Sequence, residues 1–220
     1  MNDIINVDCI KYMKTMENNS VQFTLTDIPY DGVNRSSNGL RNLDVGVADE
    51  LKFDLDVFLE EVYRVTKSMI CIFCEWNQLS KIFSFFKNKK GTVRPIIWEK
   101  TNPVPMNGQH VYLSGVEFAV WFKKAGAKGF NAKCKNTVFR YPIPGGKQRI
   151  HKTQKHRELF KELILDCSNE GDVIFDPCAG GMTTAAAAIE TNRKYICLEL
   201  DKDIYDTGVK FIKDNYNIIT

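Results

Sequence analysis

Short apolar segments alternate with amphipathic ones along most of the chain. Continuous or alternating apolar runs, typical of strands, are followed by turn residues and then by apolar positions at helical spacing. Seven segments have the strand pattern: 4–8, 21–26, 68–74, 93–98, 116–122, 173–175 and 195–199. Because strands that alternate with helices pair mostly in parallel, the pattern predicts an α/β fold.

Helical spacing fills most of the intervals between these strands. Asp54 is a suitable N-cap for a helix that continues to about residue 66. Other helices are predicted near residues 10–16, 78–86, 153–164, 183–188 and 202–215. Two segments, 31–53 and 125–146, have no periodic pattern and many turn residues, so we expect irregular structure there.

Residues 173–184, V-I-F-D-P-C-A-G-G-M-T-T, join a strand to a helix through two adjacent glycines. Glycine lets the backbone approach a ligand closely, and the N-terminus of the helix offers unpaired N–H groups. About twenty residues later another strand ends in Glu199, the spacing at which doubly wound sheets bind ribose hydroxyls. The pattern favours a nucleotide-like cofactor; an ordinary strand-to-helix turn without a ligand is the alternative.

Composition indicates one domain, residues 1–220. A chain of 220 residues with 44% hydrophobic content can bury one sizeable core. The seven cysteines are odd in number and scattered, which favours reduced thiols and a cytoplasmic location over a disulfide framework. Cys71 and Cys74 form a C-x-x-C within an apolar strand without a second ligand pair, so no metal site is predicted. No apolar stretch predicts secretion or membrane insertion.

Positive charge is concentrated in one part of the chain. Residues 118–157 contain eleven Lys or Arg and no Asp or Glu, although the net charge of the chain is only +3. Such segregation is typical of a surface that binds a polyanion. A solvated loop that is merely basic is the alternative.

The segment Asp27-Ile28-Pro29-Tyr30 follows a strand, where open α/β sheets place their chemistry. With the glycine loop, it resembles the amino-group DNA methyltransferases that use S-adenosylmethionine. The order is that of the circularly permuted beta class, in which the catalytic D-P-P-Y precedes the cofactor loop. The resembling stretches span nearly the whole chain: 7–9, 26–30, 150–155, 175–180 and 199–201.

This resemblance implies a Rossmann-like S-adenosylmethionine methyltransferase fold, with a mostly parallel seven-stranded sheet, helices on both faces and a circularly permuted order. It implies methylation of adenine N6 in double-stranded DNA after base flipping. Asp27, where many cytosine-N4 enzymes have serine, favours adenine. Cytosine N4 and a catalytically weak DNA-binding protein on the same scaffold remain alternatives. A homodimer and a companion restriction nuclease are compatible with the resemblance.

The resemblance also assigns roles to residues. The Asp27 carboxylate and the Ile28 carbonyl would hold the N–H bonds of the target amine, and Tyr30, after Pro29, would stack on the base. Glu199 would bind ribose, and Lys155 would approach the methionine carboxylate of the cofactor. The residues assigned to S-adenosyl-L-methionine are Asp8, Cys9, Thr153, Gln154, Lys155, Asp176, Pro177, Cys178, Ala179, Gly180, Gly181, Thr183, Glu199 and Asp201. Within this loop Cys178 is expected to pack rather than to act as a nucleophile.

A basic excursion at 123–150 would recognise the DNA target. The residues predicted to contact DNA are Arg35, Arg41, Lys133, Lys135, Arg140, Lys147 and Arg149. The chain departs from the family pattern at Ile28 and Met182, which replace a proline and a glycine, and at Lys152 and His156, which replace prolines.

Overall fold

The structure, a computed structural model, describes residues 2–30, 53–105, 108–145 and 154–216. These residues form eight strands: β1 (Asn2–Asn6), β2 (Val21–Asp27), β3 (Thr66–Cys74), β4 (Gly91–Lys100), β5 (Val116–Lys124), β6 (Val138–Tyr141), β7 (Val173–Asp176) and β8 (Lys194–Glu199). They also form six helices: α1 (Cys9–Met13), α2 (Leu55–Val65), α3 (Trp76–Lys87), α4 (Arg157–Cys167), α5 (Thr183–Glu190) and α6 (Lys202–Tyr216).

The strands make one sheet in the order β1-β8-β7-β2-β3-β5-β4-β6. Among the eight described strands, only β5 runs antiparallel to its neighbours β3 and β4; every other pairing is parallel. The chain turns towards β8 after β7 and towards β3 after β2, so the strand order reverses between β7 and β2. A crevice outside the carboxyl ends of the strands is expected at such a point.

Two hydrophobic cores cover the two faces of the sheet. Because side chains alternate along a strand, residues 69, 71 and 73 of β3 pack in one core and residues 70, 72 and 74 in the other. The first core is closed by α4, α5 and α6, and the second by α1, α2 and α3. The prediction of a mostly parallel sheet with helices on both faces is confirmed.

The sheet has eight strands within the described residues, not the seven that were predicted. The additional strand is β6, which pairs in parallel with the end of β4 at the edge of the sheet. It lies in the segment that was expected to be irregular. Phe139 is buried against the first core, which explains why so short a segment is held in the sheet.

One predicted boundary at the start of the chain is also different. Strand β1 ends at Asn6 and does not reach Asp8, which instead caps α1 by accepting a hydrogen bond from the Lys11 N–H at 2.8 Å. In the part of the chain that the structure describes, no helix is both long and apolar enough to cross a membrane.

Candidate active site

A cavity of about 410 Å³ opens at the reversal point, outside the carboxyl ends of β7 and β2. Its volume is within the range of about 300–1,000 Å³ that is usual for ligand sites. The cavity is lined by all four predicted catalytic residues, 27–30. The described residues among those assigned to the cofactor also line it: Asp8, Cys9, Gln154, Lys155, Asp176, Pro177, Cys178, Ala179, Gly180, Gly181, Thr183, Glu199 and Asp201. Thr153 lies outside the described residues.

The glycine loop is held in place by Asp176 at the end of β7. The buried Asp176 carboxylate accepts hydrogen bonds from the Thr184 hydroxyl at 2.5 Å and from the Cys178 N–H at 3.1 Å. Burial raises the pKa of Asp176 to about 7, against the opposing effect of these hydrogen bonds. Gly180 has a φ of +47°, and a side chain there would project into open space. The loop therefore leaves room beside its backbone for a ligand.

Glu199 joins the end of β8 to this loop. One of its oxygens accepts a hydrogen bond from the Gly180 N–H and the other from the Asp201 N–H, each at 2.8 Å. Burial raises the pKa of Glu199, although both N–H groups favour its charged form. Each carboxylate oxygen keeps further acceptor capacity, so the predicted contact with ribose hydroxyls is chemically available.

Met182 stands where the family pattern has a second glycine, and it adopts the left-handed conformation that glycine favours, with φ +56° and ψ +29°. Its side chain is fully buried. It occupies space beside α6 that exists because residue 208 is glycine: a methyl group on Gly208 would lie 2.5 Å from Cγ of Met182. The departure at Met182 is thus matched by a small residue on the facing helix.

Ile28 replaces a proline and makes a hydrogen bond that proline cannot make. Its N–H donates to the Phe73 carbonyl at 3.1 Å, which extends the pairing of β2 with β3, and its side chain is buried. The next residue, Pro29, is fixed from α3, where the buried Gln78 side chain donates to the Pro29 carbonyl at 2.9 Å. The segment after β2 is therefore constrained even without the usual proline.

A buried ionic cluster surrounds the Asp27 carboxylate. Lys155 Nζ lies 2.7 Å from Asp27 Oδ2, 2.8 Å from Glu117 Oε2 and 2.9 Å from the Tyr30 hydroxyl. Lys100 Nζ lies 2.9 Å from the other oxygen of Glu117. The second oxygen of Asp27, Oδ1, is buried and accepts no hydrogen bond from the described residues. Asp27 lines the cavity, and the acceptor capacity of this buried oxygen is unused.

Burial and charge oppose each other in this cluster. Burial raises the pKa of Asp27 to about 6, although the Lys155 ammonium favours the carboxylate form. For Glu117 the balance is reversed: burial is opposed by the two lysines, and its pKa is lowered to about 2. Asp27 is thus ionised at neutral pH but is protonated by mild acid.

Lys155 was predicted to approach the methionine carboxylate. In the structure it lines the cavity, but its ammonium contacts three oxygen atoms of the ionic cluster. His156, the next departure from the family pattern, precedes the first residue of α4 and stacks on the Tyr141 ring with centroids 4.9 Å apart. Lys152 lies outside the described residues.

Cys178 is poorly suited to nucleophilic chemistry. The neighbouring Cys9 thiol and burial raise the pKa of the Cys178 thiol well above its usual value. A neutral thiol is a weak nucleophile. The expectation that Cys178 packs against its neighbours agrees with this environment.

The cavity suits the cofactor that the sequence predicted. S-Adenosylmethionine carries a sulfonium and an ammonium group, and five carboxylates line the cavity: Asp8, Asp27, Asp176, Glu199 and Asp201. The open space at Gly180 and the N-terminus of α5 provide the close backbone approach that was expected of the loop. The donor set and the charge of the cavity therefore fit this cofactor.

The basic residues predicted to contact DNA are not all on the side of the cavity. Helix α4 starts beside Lys155 and ends at Cys167, about 16 Å away at 1.5 Å per residue. Asn131 binds the Leu165 and Ser168 carbonyls at that far end, which places the nearby Lys133 away from the cavity. Lys135 is paired with two carboxylates of α4, each at 2.6 Å.

Arg140 is closer to the cavity edge of the sheet, because it lies in β6 opposite the last residues of β4. It is paired with Glu99 at 2.9 Å, and its side chain is 71% exposed. The other predicted DNA contacts, Arg35, Arg41, Lys147 and Arg149, lie outside the described residues.

Sequence reasoning missed Glu117, Lys100 and Gln78. These side chains act from β5, β4 and α3, far in sequence from the motif that they support. Glu117 could have drawn attention as an acid at the edge of the long acid-free segment, but no spacing rule connects it to Asp27.

Comparison with known proteins identifies the family of the chain. Residues 21–210 match the DNA methylase family of N6 and N4 methyltransferases. The chain is 29% identical over 257 residues to Type II methyltransferase M.HinfI of Haemophilus influenzae, in an alignment that covers 100% of this chain and 71% of that protein.

Solved structures share the fold. The crystal structure of the M1.HpyAVI–SAM complex has a TM-score of 0.73 at 27% identity and covers 96% of this chain and 100% of that one. PvuII DNA methyltransferase, which is cytosine-N4-specific, has a TM-score of 0.76 and covers 100% of this chain and 88% of that one, but at 14% identity it supports the fold alone. The chain therefore belongs to the N6/N4 family of DNA methylases.

Proposed function

We propose that the protein transfers the methyl group of S-adenosylmethionine to the N6 amine of adenine in double-stranded DNA, with the base flipped out of the duplex. The observation that carries the proposal is the Asp27 carboxylate at the end of β2: Asp27 lines the cavity, and its Oδ1 is buried and accepts no hydrogen bond from the described residues. A buried acceptor without a donor is costly, so a donor from a substrate is expected there.

An exocyclic amine is a weak nucleophile because its lone pair is delocalised into the ring. When Asp27 Oδ1 and the Ile28 carbonyl accept hydrogen bonds from the two N–H groups of the amine, the nitrogen is drawn towards tetrahedral geometry. When bound, S-adenosylmethionine supplies a methyl on a cationic sulfur, which keeps the electron pair of the broken carbon–sulfur bond as the amine nitrogen takes the methyl. The negative Asp27 also stabilises the positive charge that develops on nitrogen, before this nitrogen loses a proton to solvent.

The cofactor would be held by the loop 176–181 and by the two strand ends that flank it. Glu199 would accept hydrogen bonds from the ribose, and Asp8 with the backbone of Cys9 would contact the adenine ring of the cofactor. The carboxylates of the cavity favour the cationic end of the molecule. The hydrogen bond between the Gly180 N–H and Glu199 already joins the loop to the end of β8.

The carboxylate at position 27 favours adenine over cytosine, because serine is common at this position in the cytosine-N4 enzymes that the chain resembles. DNA would approach the edge of the sheet that holds the cavity, and the segment 123–150 would contribute to target recognition. Of its predicted contacts, Arg140 is the best placed, because β6 pairs with the cavity-side end of β4. The homodimer and the companion restriction nuclease stay predictions.

The test is mass spectrometry of nucleosides from duplex DNA incubated with the protein and S-adenosylmethionine. N6-methyladenine is the expected product, and the Asp27→Ala variant should form it about two to three orders of magnitude more slowly. Formation of N4-methylcytosine instead would show that the protein methylates cytosine, the alternative base. Absence of both products from a protein that still binds duplex DNA would support the catalytically weak DNA-binding protein and reject the proposal.

A further inference from the structure

Glu117 is the centre of the ionic cluster beside the cavity, although it belongs to none of the motifs. It lies near the start of β5, the one antiparallel strand in the described part of the sheet, and is brought next to Asp27 because β5 pairs with β3. Its Oε2 lies 2.8 Å from Lys155 Nζ and its Oε1 lies 2.9 Å from Lys100 Nζ. The Tyr30 hydroxyl is a third partner, 3.3 Å from Oε2.

Lys155 has no N–H left for another acceptor. An ammonium has three N–H bonds, and Lys155 directs them at Asp27, Glu117 and Tyr30, with only 4% of its side chain exposed. Lys155 thereby fixes one oxygen of Asp27 and leaves the other for a substrate. Without Glu117, its ammonium would lose one of these anchors and would be held by Asp27 and Tyr30 alone.

We propose that Glu117 is a positioning residue for the methyl transfer: it anchors the Lys155 ammonium so that Asp27 and Tyr30 are held in the arrangement that receives the target base. The inference rests on the proposed function for its catalytic meaning. The arrangement of charges itself is a property of the protein alone and can be measured without substrate.

Glu117 and Lys155 act on the Asp27 carboxylate with opposite signs. Burial is the largest cause of the raised pKa of Asp27, the positive Lys155 lowers this pKa, and the negative Glu117 raises it. Among the described residues, the other ionisable groups that face Asp27 are Tyr30, Cys74 at the end of β3 and Asp176 at the end of β7. Because these groups are unchanged in variants of Glu117 or Lys155, a change in the pKa of Asp27 reports on the charge that was altered.

The first measurement is a pH titration of the Asp27 side-chain carboxyl carbon by NMR, on the protein without ligands. Glu117→Gln should lower the pKa of Asp27 from its value of about 6, and Lys155→Met should raise it. An opposite charge within hydrogen-bond distance typically changes a carboxyl pKa by about 1–3 units, which sets the scale for Lys155→Met. If Glu117→Gln leaves the Asp27 titration unchanged or raises it, the proposal is overturned.

The second measurement is the pH profile of kcat/KM for DNA methylation. In the wild type, kcat/KM should fall as the pH drops below about 6, because protonated Asp27 cannot accept hydrogen bonds from both the lysine and the amine. Glu117→Gln should lower the plateau about tenfold or more, the scale of losing one well-placed contact, and should move the acid limb to lower pH. A variant that loses only structural support would lower the plateau and leave the limb in place, which contradicts the proposal.

Glu190→Gln is a matched control. Glu190 also has two cationic partners, Arg157 and Lys161, and its side chain is 22% exposed, against 21% for Glu117. It lies on α5 outside the cavity lining and should change neither the limb nor the plateau. Should Glu117→Gln fail to fold, Glu117→Asp provides the test: its carboxylate is one methylene further from Lys155 and Asp27, so the acid limb should move to lower pH by less than Glu117→Gln predicts while the plateau falls. A lower plateau with an unmoved limb would again contradict the proposal.

The two proposals can fail separately. A wild-type protein that methylates DNA, with an Asp27 titration insensitive to Glu117, would refute the role of Glu117 and leave the function intact. A protein in which Glu117→Gln shifts Asp27 but no variant or wild type methylates DNA would refute the function and leave the charge arrangement intact.

Discussion

Replacing Gly208 by alanine places a methyl group where the Met182 side chain already lies. The added carbon would be 2.5 Å from Cγ of Met182 and 3.1 Å from its Cε, whereas carbon atoms in contact are about 3.5–4.0 Å apart. Cγ is close to the backbone, so it cannot move by the required ångström without a rotation at χ1. Such a rotation would press on the loop that contains Gly180.

The magnitude follows from two opposing contributions. Overpacking of a buried contact costs about 1–3 kcal/mol. Alanine stabilises a helix interior by about 1 kcal/mol relative to glycine, and this offsets part of the cost. Gly208→Ala should therefore destabilise the protein by about 0–2 kcal/mol. Met182→Ala should cost about 2–5 kcal/mol, because it leaves a cavity in the core.

Their combination is more informative than either change alone. In Met182→Ala/Gly208→Ala the clash is absent and the new methyl fills part of the cavity, so the double variant should be about 1–3 kcal/mol more stable than the sum predicts. Urea denaturation gives the free energies of unfolding. Calorimetry shows whether the affinity for S-adenosylmethionine also changes when the loop that contains Gly180 is disturbed. Additivity of the two substitutions within about 0.5 kcal/mol would refute the proposed match between Met182 and Gly208.

Three further predictions concern the site. Glu199→Ala should weaken S-adenosylmethionine binding without DNA by about 1–3 kcal/mol in calorimetry, since charged hydrogen bonds are lost; unchanged affinity would exclude Glu199 as a ligand. Asp27→Ala should lower turnover by about two to three orders of magnitude with little change in cofactor affinity, and Asp27→Asn should retain more activity because its amide oxygen still accepts a hydrogen bond. Arg140→Ala should reduce DNA affinity and lower the salt dependence of binding by about one charge, whereas Lys133→Ala should do neither. The measurement is a binding titration at several salt concentrations. Equal effects of the two substitutions would contradict the inference that Arg140 lies nearer the DNA than Lys133.

The sequence predicted the main elements of the fold because its apolar periods are long and clear. The buried runs at 68–74 and 195–199 have the length and the β-branched and apolar content of central strands. Strand β6 has only four residues within a polar, glycine-containing segment, and only Phe139 among them is buried. Its formation depends on the neighbouring edge of β4, which local pattern does not reveal.

The same distinction applies to the site. Asp27, Gly180 and Glu199 belong to motifs with fixed local spacing, so their approach to one cavity could be expected from sequence alone. The partners of Lys155 could not, because Glu117 reaches it only through the antiparallel pairing of β5 with β3. The space for Met182 likewise depends on a glycine in a distant helix.

The hydrogen bonds of Glu199 have a consequence for how affinity and stability are linked. Its carboxylate holds the glycine loop and the turn after β8 through backbone N–H groups, so the conformational entropy of these segments is lost when the protein folds and not when a ligand arrives. A preorganised site binds with a smaller entropic penalty. Substitution of Glu199 would therefore lower two quantities. The native state would be less stable, and the ligand would bind more weakly because binding would have to order the glycine loop and the turn after β8.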